Sequence, residues 1–239
     1  MKCKIQVLIV VMLTLVQSAC APAPKVALRP EAKQSIKRIA LAETPEPQKY
    51  FVHPGATPAA AGLYLFGAIG GAIVGGIEAR RQIVATDRFT SAVAPLHPAL
   101  SSIMVNELEQ GLKAKGYDVS LVPIPPRSAD GKGYDLSSIK GTFDAVLLAE
   151  LNAGYVEDSS TVVPRVFIKV SLQSNSGQEK LFADSYIYSH KRIGELEWVE
   201  TAPELRLPSV EAIYANVGRA TEGMKIGTKK LTERVLADL

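Results

Sequence analysis

Residues Phe143 to Asn152 constrain the fold more than any other stretch of this chain. Phe143, Ala145, Leu147, Ala149 and Leu151 recur with a period of two, so they line one face of a strand. Val146 and Leu148 make the opposite face apolar as well. A strand apolar on both faces needs cover on both, which places it inside a sheet. Arg165 to Gln173 alternates strictly, with Val166, Ile168, Val170 and Leu172 facing in. Asn175-Ser176-Gly177 is a turn signal. Lys180 to His190 then returns as the partner strand of a hairpin.

The remaining segments fit around this centre. Ser35 to Glu43 predicts a first strand, with Ile39 and Leu41 on one face, ended by Thr44-Pro45-Glu46-Pro47. Tyr50 to Val52 is a short extended piece, and Tyr117 to Val122 a further strand. From Pro98, Leu100, Ile103, Met104, Leu108 and Leu112 form a helical stripe, with Gly116 suited to the residue after the helix end. A helical turn is expected around Phe89 to Val93, and another over Asp135 to Lys140. Ser209 to Ala237 predicts one long helix buried along Val210, Ile213, Val217, Ala220, Met224, Leu231 and Val235. Gly194 to Leu207 is acidic and irregular. The expected fold class is α+β. Its mixed or antiparallel sheet would hold about four to five strands, packed by one mid-chain helix and one long C-terminal helix.

The N-terminus carries an address. Lys2 and Lys4 precede an apolar run from Ile5 to Val16, broken only by Gln6 and Thr14. That is the length of a secretory h-region and short for a membrane span. Val16-Gln17-Ser18-Ala19-Cys20 follows. The arrangement resembles a bacterial lipoprotein signal peptide, cut before a cysteine that becomes the lipidated first residue. The family usually has an aliphatic residue where Gln17 stands. Against it stands an ordinary secretory peptide cleaved at a nearby alanine. The resemblance implies a signal peptide over 1–19, lipidation at Cys20 and anchoring to membrane lipid through acyl chains. Ala21, in place of an acidic residue, favours the outer membrane over inner-membrane retention. Residues 20–34, with Pro22, Pro24 and Pro30, are expected to be a flexible tether, leaving 35–239 as a periplasm-facing domain.

The segment 59–77 is an insertion in that domain. It carries no charge over 19 residues, 11 of them Ala or Gly. Gly67, Gly71 and Gly75 form a glycine zipper. On a helix they would lie opposite Leu65, Ile69, Ile73 and Ile77, about 28 Å long in all, near the ~30 Å hydrocarbon core. Two readings stand: membrane insertion or self-association through that groove, and a Gly/Ala-rich loop or helix packed on the domain.

The run Leu100 to Val119, with Lys115-Gly116-Tyr117-Asp118-Val119 at its end, resembles the helix-to-strand passage of YajG-type lipoproteins. The amino-terminal domain of TolB and CsgG-like lipoproteins contain the same passage. Phe143-Asp144-Ala145-Val146-Leu147-Leu148 resembles the strand that follows there. The likeness covers about Leu100 to Leu236 and implies an envelope role in assembly, scaffolding or secretion. CsgG-like pores cross the membrane with amphipathic strands, and 59–77 lacks that alternation.

Composition excludes several classes. The formal charge is +3, and removal of Lys2 and Lys4 leaves the mature chain at +1, so there is no electrostatic case for nucleic acid. Cys3 and Cys20 are the two cysteines, which leaves the domain neither a disulfide nor a thiolate metal site. His53, His97 and His190 lack metal-ligand spacing and are expected at the surface. No Gly-x-Ser-x-Gly elbow, P-loop or dinucleotide fingerprint occurs. The expectation is therefore a non-enzymatic binding or scaffold module for an envelope protein or cell-wall partner, without cofactor or metal. The alternative is a homo-oligomeric component of a secretion or transport assembly, packed through the zipper. A candidate partner surface is an aromatic stripe of Phe167, Phe182, Tyr186 and Tyr188 on the outer sheet face. The competing reading has 59–77 or the loop with Trp198 covering it.

Overall fold

In the computed structural model, residues 25–55, 76–129, 133–177 and 179–239 are described, with backbone alone at 76–79. The strands are β1 (Arg38–Ala42), β2 (Phe51–His53), β3 (Asp118–Val122), β4 (Ala145–Asp158), β5 (Thr161–Ser174), β6 (Lys180–Ser189) and β7 (Glu197–Glu200). The helices are α1 (Pro30–Ser35), α2 (Gly76–Val93), α3 (Leu100–Ala114), α4 (Val210–Ala215) and α5 (Val217–Asp238). The class is α+β with a mixed sheet, as expected, although the sheet has seven strands.

β4 sits at the centre of the order β3-β1-β4-β5-β6-β7. One edge pairs with β5 along its full length, antiparallel. The other edge carries two parallel strands in tandem: β1 against Ala145–Leu147 and β2 against Gly154–Val156. Between them the Thr44 hydroxyl donates to the Ala149 carbonyl at 3.1 Å. Asp144 ties the start of β1 to β4, since one carboxylate oxygen accepts the Lys37 and Arg38 amides at 2.9 and 2.8 Å.

The helices cover one face of the sheet. There Leu147, Leu151, Tyr155, Val166, Ile168, Val170, Tyr186 and Tyr188 meet Phe89, Met104, Leu108, Met224 and Leu231. Connecting segments and β7 cover the other face in two patches. Tyr134, Leu136, Ile139 and Phe143 close over Ala40, Val146 and Leu148. Ile193, Leu196 and Trp198 close over Phe167 and Ile187. Val146 and Ile168 are both buried, on opposite faces.

Several expectations need correction. Residues from Lys25 onward do not form a free tether. Val26 exchanges two backbone hydrogen bonds with Ala183 at 2.8 and 2.9 Å. Leu28 packs on the core and α1 follows. The reason is the edge of β6: β7 pairs only with Tyr186–Ser189, and Val26 supplies the partner that Ala183 needs. α2 extends well before the single turn expected at its end. It lies along β2, where the Thr90 and Thr86 hydroxyls accept the outward Tyr50 and Val52 amides at 2.9 and 3.1 Å. α3 starts at Leu100 rather than Pro98, because Ala99 adopts a left-handed φ of 55°. Its first amides are capped from a distance: Glu46 accepts Leu100 N and Ser101 N at 3.0 and 2.8 Å. The long C-terminal helix breaks at Asn216, whose side chain caps α5 by accepting Arg219 N at 3.2 Å.

α5 approaches the sheet closely through two glycines. A Cβ on Gly223 would lie 2.6 Å from the Tyr155 hydroxyl, and one on Gly227 2.6 Å from Tyr188 Cδ1 and 2.8 Å from Val166 Cγ2. Gly218 faces open space on the same helix. Gly227→Ala is therefore expected to lower stability by about 1–3 kcal/mol through overpacking. Gly218→Ala should raise it by roughly 0.5–1 kcal/mol through helix propensity. Urea midpoints of the two variants check the pair, and a Gly227→Ala midpoint at or above wild type would contradict the packing.

Candidate functional site

Charged and polar side chains gather where β4 and β6 end and β5 begins. Asp158 is the last residue of β4, and His190 and Lys191 directly follow β6. Arg165 lies on β5 opposite Gly154 of β4. It shares the parity of Val163 and Phe167, so it points to the loop face rather than to the helices. Gly154 admits β2 here, because the Phe51 carbonyl oxygen lies only 2.0 Å from where a Cβ would stand. His53 of β2 thereby joins the group.

Arg165 is 2% exposed. Its Nε has no hydrogen-bond partner. Burial lowers its pKa to about 10, opposed by the Asp158 carboxylate, and the guanidinium stays charged at neutral pH. The His190 side chain is 6% exposed, and its Nε2 lies 3.0 Å from Asp158 Oδ2. That contact is an ion pair when the ring is protonated, and Nδ1 has no hydrogen-bond partner. Burial pushes the His190 pKa down; Asp158 opposes this, while Lys191, Arg165 and Arg206 reinforce it. Lys191 Nζ donates to Asp158 Oδ1 at 3.3 Å. Burial and the Arg165 charge lower the His53 pKa to about 4, and Gln82 Nε2 lies 3.5 Å from its Nε2. The neighbouring Glu157 carboxylate accepts the Gly55 amide at 2.7 Å. Among the described residues no group of three or more His, Cys, Asp and Glu side chains is placed to hold a metal ion.

A second charged group fastens the N-terminal segment along the earlier part of β6. Lys25 Nζ lies 2.8 Å from the buried Asp184 carboxylate and 2.5 Å from Glu197. Arg234 of α5 bridges Glu197 and Asp238 at 3.1 and 3.3 Å. Arg29 pairs with Glu179.

Cys20, Gly67, Gly71 and Gly75 lie outside the described residues. The exposed aromatic stripe does not form. Phe182, Tyr186 and Tyr188 are 2%, 0% and 1% exposed and face the helices. The Tyr186 hydroxyl donates to Asp238 at 3.0 Å, and that of Tyr188 accepts Ala202 N at 3.3 Å. Phe167 does face the loops, but Ile187, Leu196 and Trp198 pack on it. The reason is a bulge: Leu172 pairs with Phe182 and Gln173 with Lys180, which skips Leu181 and shifts the parity of β6 by one. The surface expectation for histidine holds at His97, which is exposed, and fails at the buried side chains of His53 and His190. Arg165 was missed as a site residue. The signal was present: Val163 and Phe167 flank it on its own face, so a charge there had to be buried.

No family model and no curated protein matches this chain. Among solved structures, similarity is found to a protein described as a homologue of a neuraminyllactose-binding hemagglutinin from Helicobacter pylori. The identity is 13%, over 92% of this chain and 91% of that one, with a TM-score of 0.38. A Xanthomonas campestris protein of the DUF330 family is 10% identical over 91% of this chain and 94% of its own, with a TM-score of 0.36. With TM-scores below 0.5, neither likeness assigns this chain a family or a role.

The buried histidines make stability depend on pH. Unfolded, His53 takes its proton at the ordinary value near 6.5; folded, it stays neutral down to about 4. The unfolded chain binds more protons across that window, so stability is full above it and falls as the pH drops through it. The loss assigned to His53 between pH 7 and pH 5 is about 2 kcal/mol. His190 acts in the same direction. Denaturant midpoints at the two pH values, for wild type and His53→Gln, measure it: the variant should show a shallower decline, and an equal decline in both would remove His53 as the cause.

Proposed function

We infer that this protein is a lipid-anchored envelope protein that works as a binding or scaffold module close to a membrane surface, not as an enzyme. The N-terminal pattern supports the anchor: Lys2 and Lys4, the apolar run to Val16, then Ser18-Ala19-Cys20. Ala21 after that cysteine supports the outer membrane as its destination. The observation that carries the reading is the docking of the domain from Lys25 onward, through the Val26–Ala183 bridge and the Lys25–Asp184 ion pair. Five residue steps separate Cys20 from Lys25, a reach of about 18 Å at most. An acylated Cys20 would hold the β6 side of the sheet near the lipid and present the rest of the domain to protein or cell-wall partners. No helix among the described residues is long and apolar enough to cross a membrane.

Cys20→Ala tests the anchor. One acyl chain holds a protein only marginally, whereas several hold it stably. The variant is expected to lose labelled palmitate and to leave the outer-membrane fraction, as a soluble product or an uncleaved precursor. A variant that still takes up palmitate and still fractionates with the outer membrane would overturn the assignment.

A further inference from the structure

The guanidinium of Arg165 presents a physical problem. The residue is almost fully buried, and the guanidinium Nε has no hydrogen-bond partner. Buried arginines are ordinarily bonded to carboxylates or carbonyls, because an unpaired buried charge opposes folding. Asp158, the carboxylate that acts on it electrostatically, does not fill that role. Asp158 is within 4 Å of His190 and Lys191, and no ion pair joins it to Arg165. The nearby polar groups of the β6 end are also engaged elsewhere. The Ser189 carbonyl accepts Trp198 Nε1 at 2.9 Å, and the Ser189 hydroxyl donates to the Lys191 carbonyl.

His190 stands beside it, with a buried ring whose Nδ1 has no hydrogen-bond partner and whose Nε2 lies 3.0 Å from Asp158. Charges near this ring are Arg165, Lys191 and Arg206 against Asp158, an excess of positive charge. A cation is therefore disfavoured. The cluster also has a way out. The Lys191 side chain is 59% exposed and that of Asp158 33%, so the cluster borders solvent on that side.

We propose that Arg165 and His190 form a binding site for an oxyanion, a carboxylate or phosphate group, with Lys191 at its entrance. A guanidinium offers two parallel N–H donors that match the spacing of two such oxygens. The imidazole contributes a further donor. Bound there, the anion supplies the acceptors that the protein itself withholds. The site lies past the end of β6, whereas Lys25 docks at Asp184 within that strand, and the site does not depend on the Cys20 anchor.

The test uses the full chain in detergent micelles. Thermal unfolding is followed while inorganic phosphate, or separately acetate, replaces chloride at constant ionic strength. A ligand of the native state raises the melting temperature and saturates, whereas general salting-out rises without saturating. Wild type is expected to show a saturable rise with at least one probe; phosphate alone identifies a phosphate site, and acetate a carboxylate site. Arg165→Met keeps the length of the side chain and removes its charge. It is expected to melt above ligand-free wild type and to lose the saturable rise. His190→Gln should keep the fold and bind about tenfold more weakly. If Arg165→Met melts below wild type or does not fold, the guanidinium is structural and the proposal fails. It also fails if wild type shows no saturable rise with either probe, or if Arg165→Met shows the same rise.

Discussion

A strand that is apolar on both faces has to be covered twice, and in this protein that strand is β4. Leu147, Leu151 and Tyr155 need the helices on one side. Val146 and Leu148 need Tyr134, Leu136, Ile139 and Phe143 on the other. Its two edges make equal demands. β5 follows one for fourteen residues, and two short parallel strands divide the other. The crossover from β1 through α3 to β3, and the return to β4, follow from placing β1 between two parallel neighbours. The order of elements along the chain is one economical answer to burying a single fourteen-residue segment.

Edges elsewhere are closed by whatever lies nearest, and each closure brings a distant segment into the domain. Two threonines of α2 answer the outward amides of β2. The N-terminal segment answers β6 at Ala183. The helix layer is pressed onto the sheet by the absence of side chains at Gly223 and Gly227 rather than by added bulk. The interior is thus tight on the helix side. On the loop side at the β5 start it instead buries the Arg165 guanidinium, whose Nε has no hydrogen-bond partner. A polar group left unsatisfied inside an otherwise well-packed domain marks a place where folding alone does not explain the residue.

Much of the frame was legible in the sequence, for a physical reason. Long alternations such as Val166 to Leu172, and the Leu100 to Leu112 stripe, have enough period to be decided locally. What was not legible depended on single-residue events or distant partners. One skipped residue, Leu181, turned Phe182, Tyr186 and Tyr188 from the outer face to the core. β7 is four residues with two glutamates and takes its strand form from β6 alone. Lys25 to Leu28 has the composition of a linker, and its order comes from an edge more than 150 residues away. The candidate site was half visible: Arg165 sits in an apolar run that predicted burial, while its meeting with His190 and His53 exists only once three strand ends are assembled.

The sheet also stops in a particular way. β3 is its terminal strand, five residues long, and Leu121 remains 45% exposed on it. The chain leaves it as Pro123-Ile124-Pro125-Pro126, so three of the next four residues lack an amide hydrogen. A second molecule arriving edge-on would find too little backbone to pair with, and proline at the place where pairing would lengthen. For molecules crowded side by side on a surface, where collisions between like edges are frequent, that short blunt margin works against sheet-to-sheet aggregation.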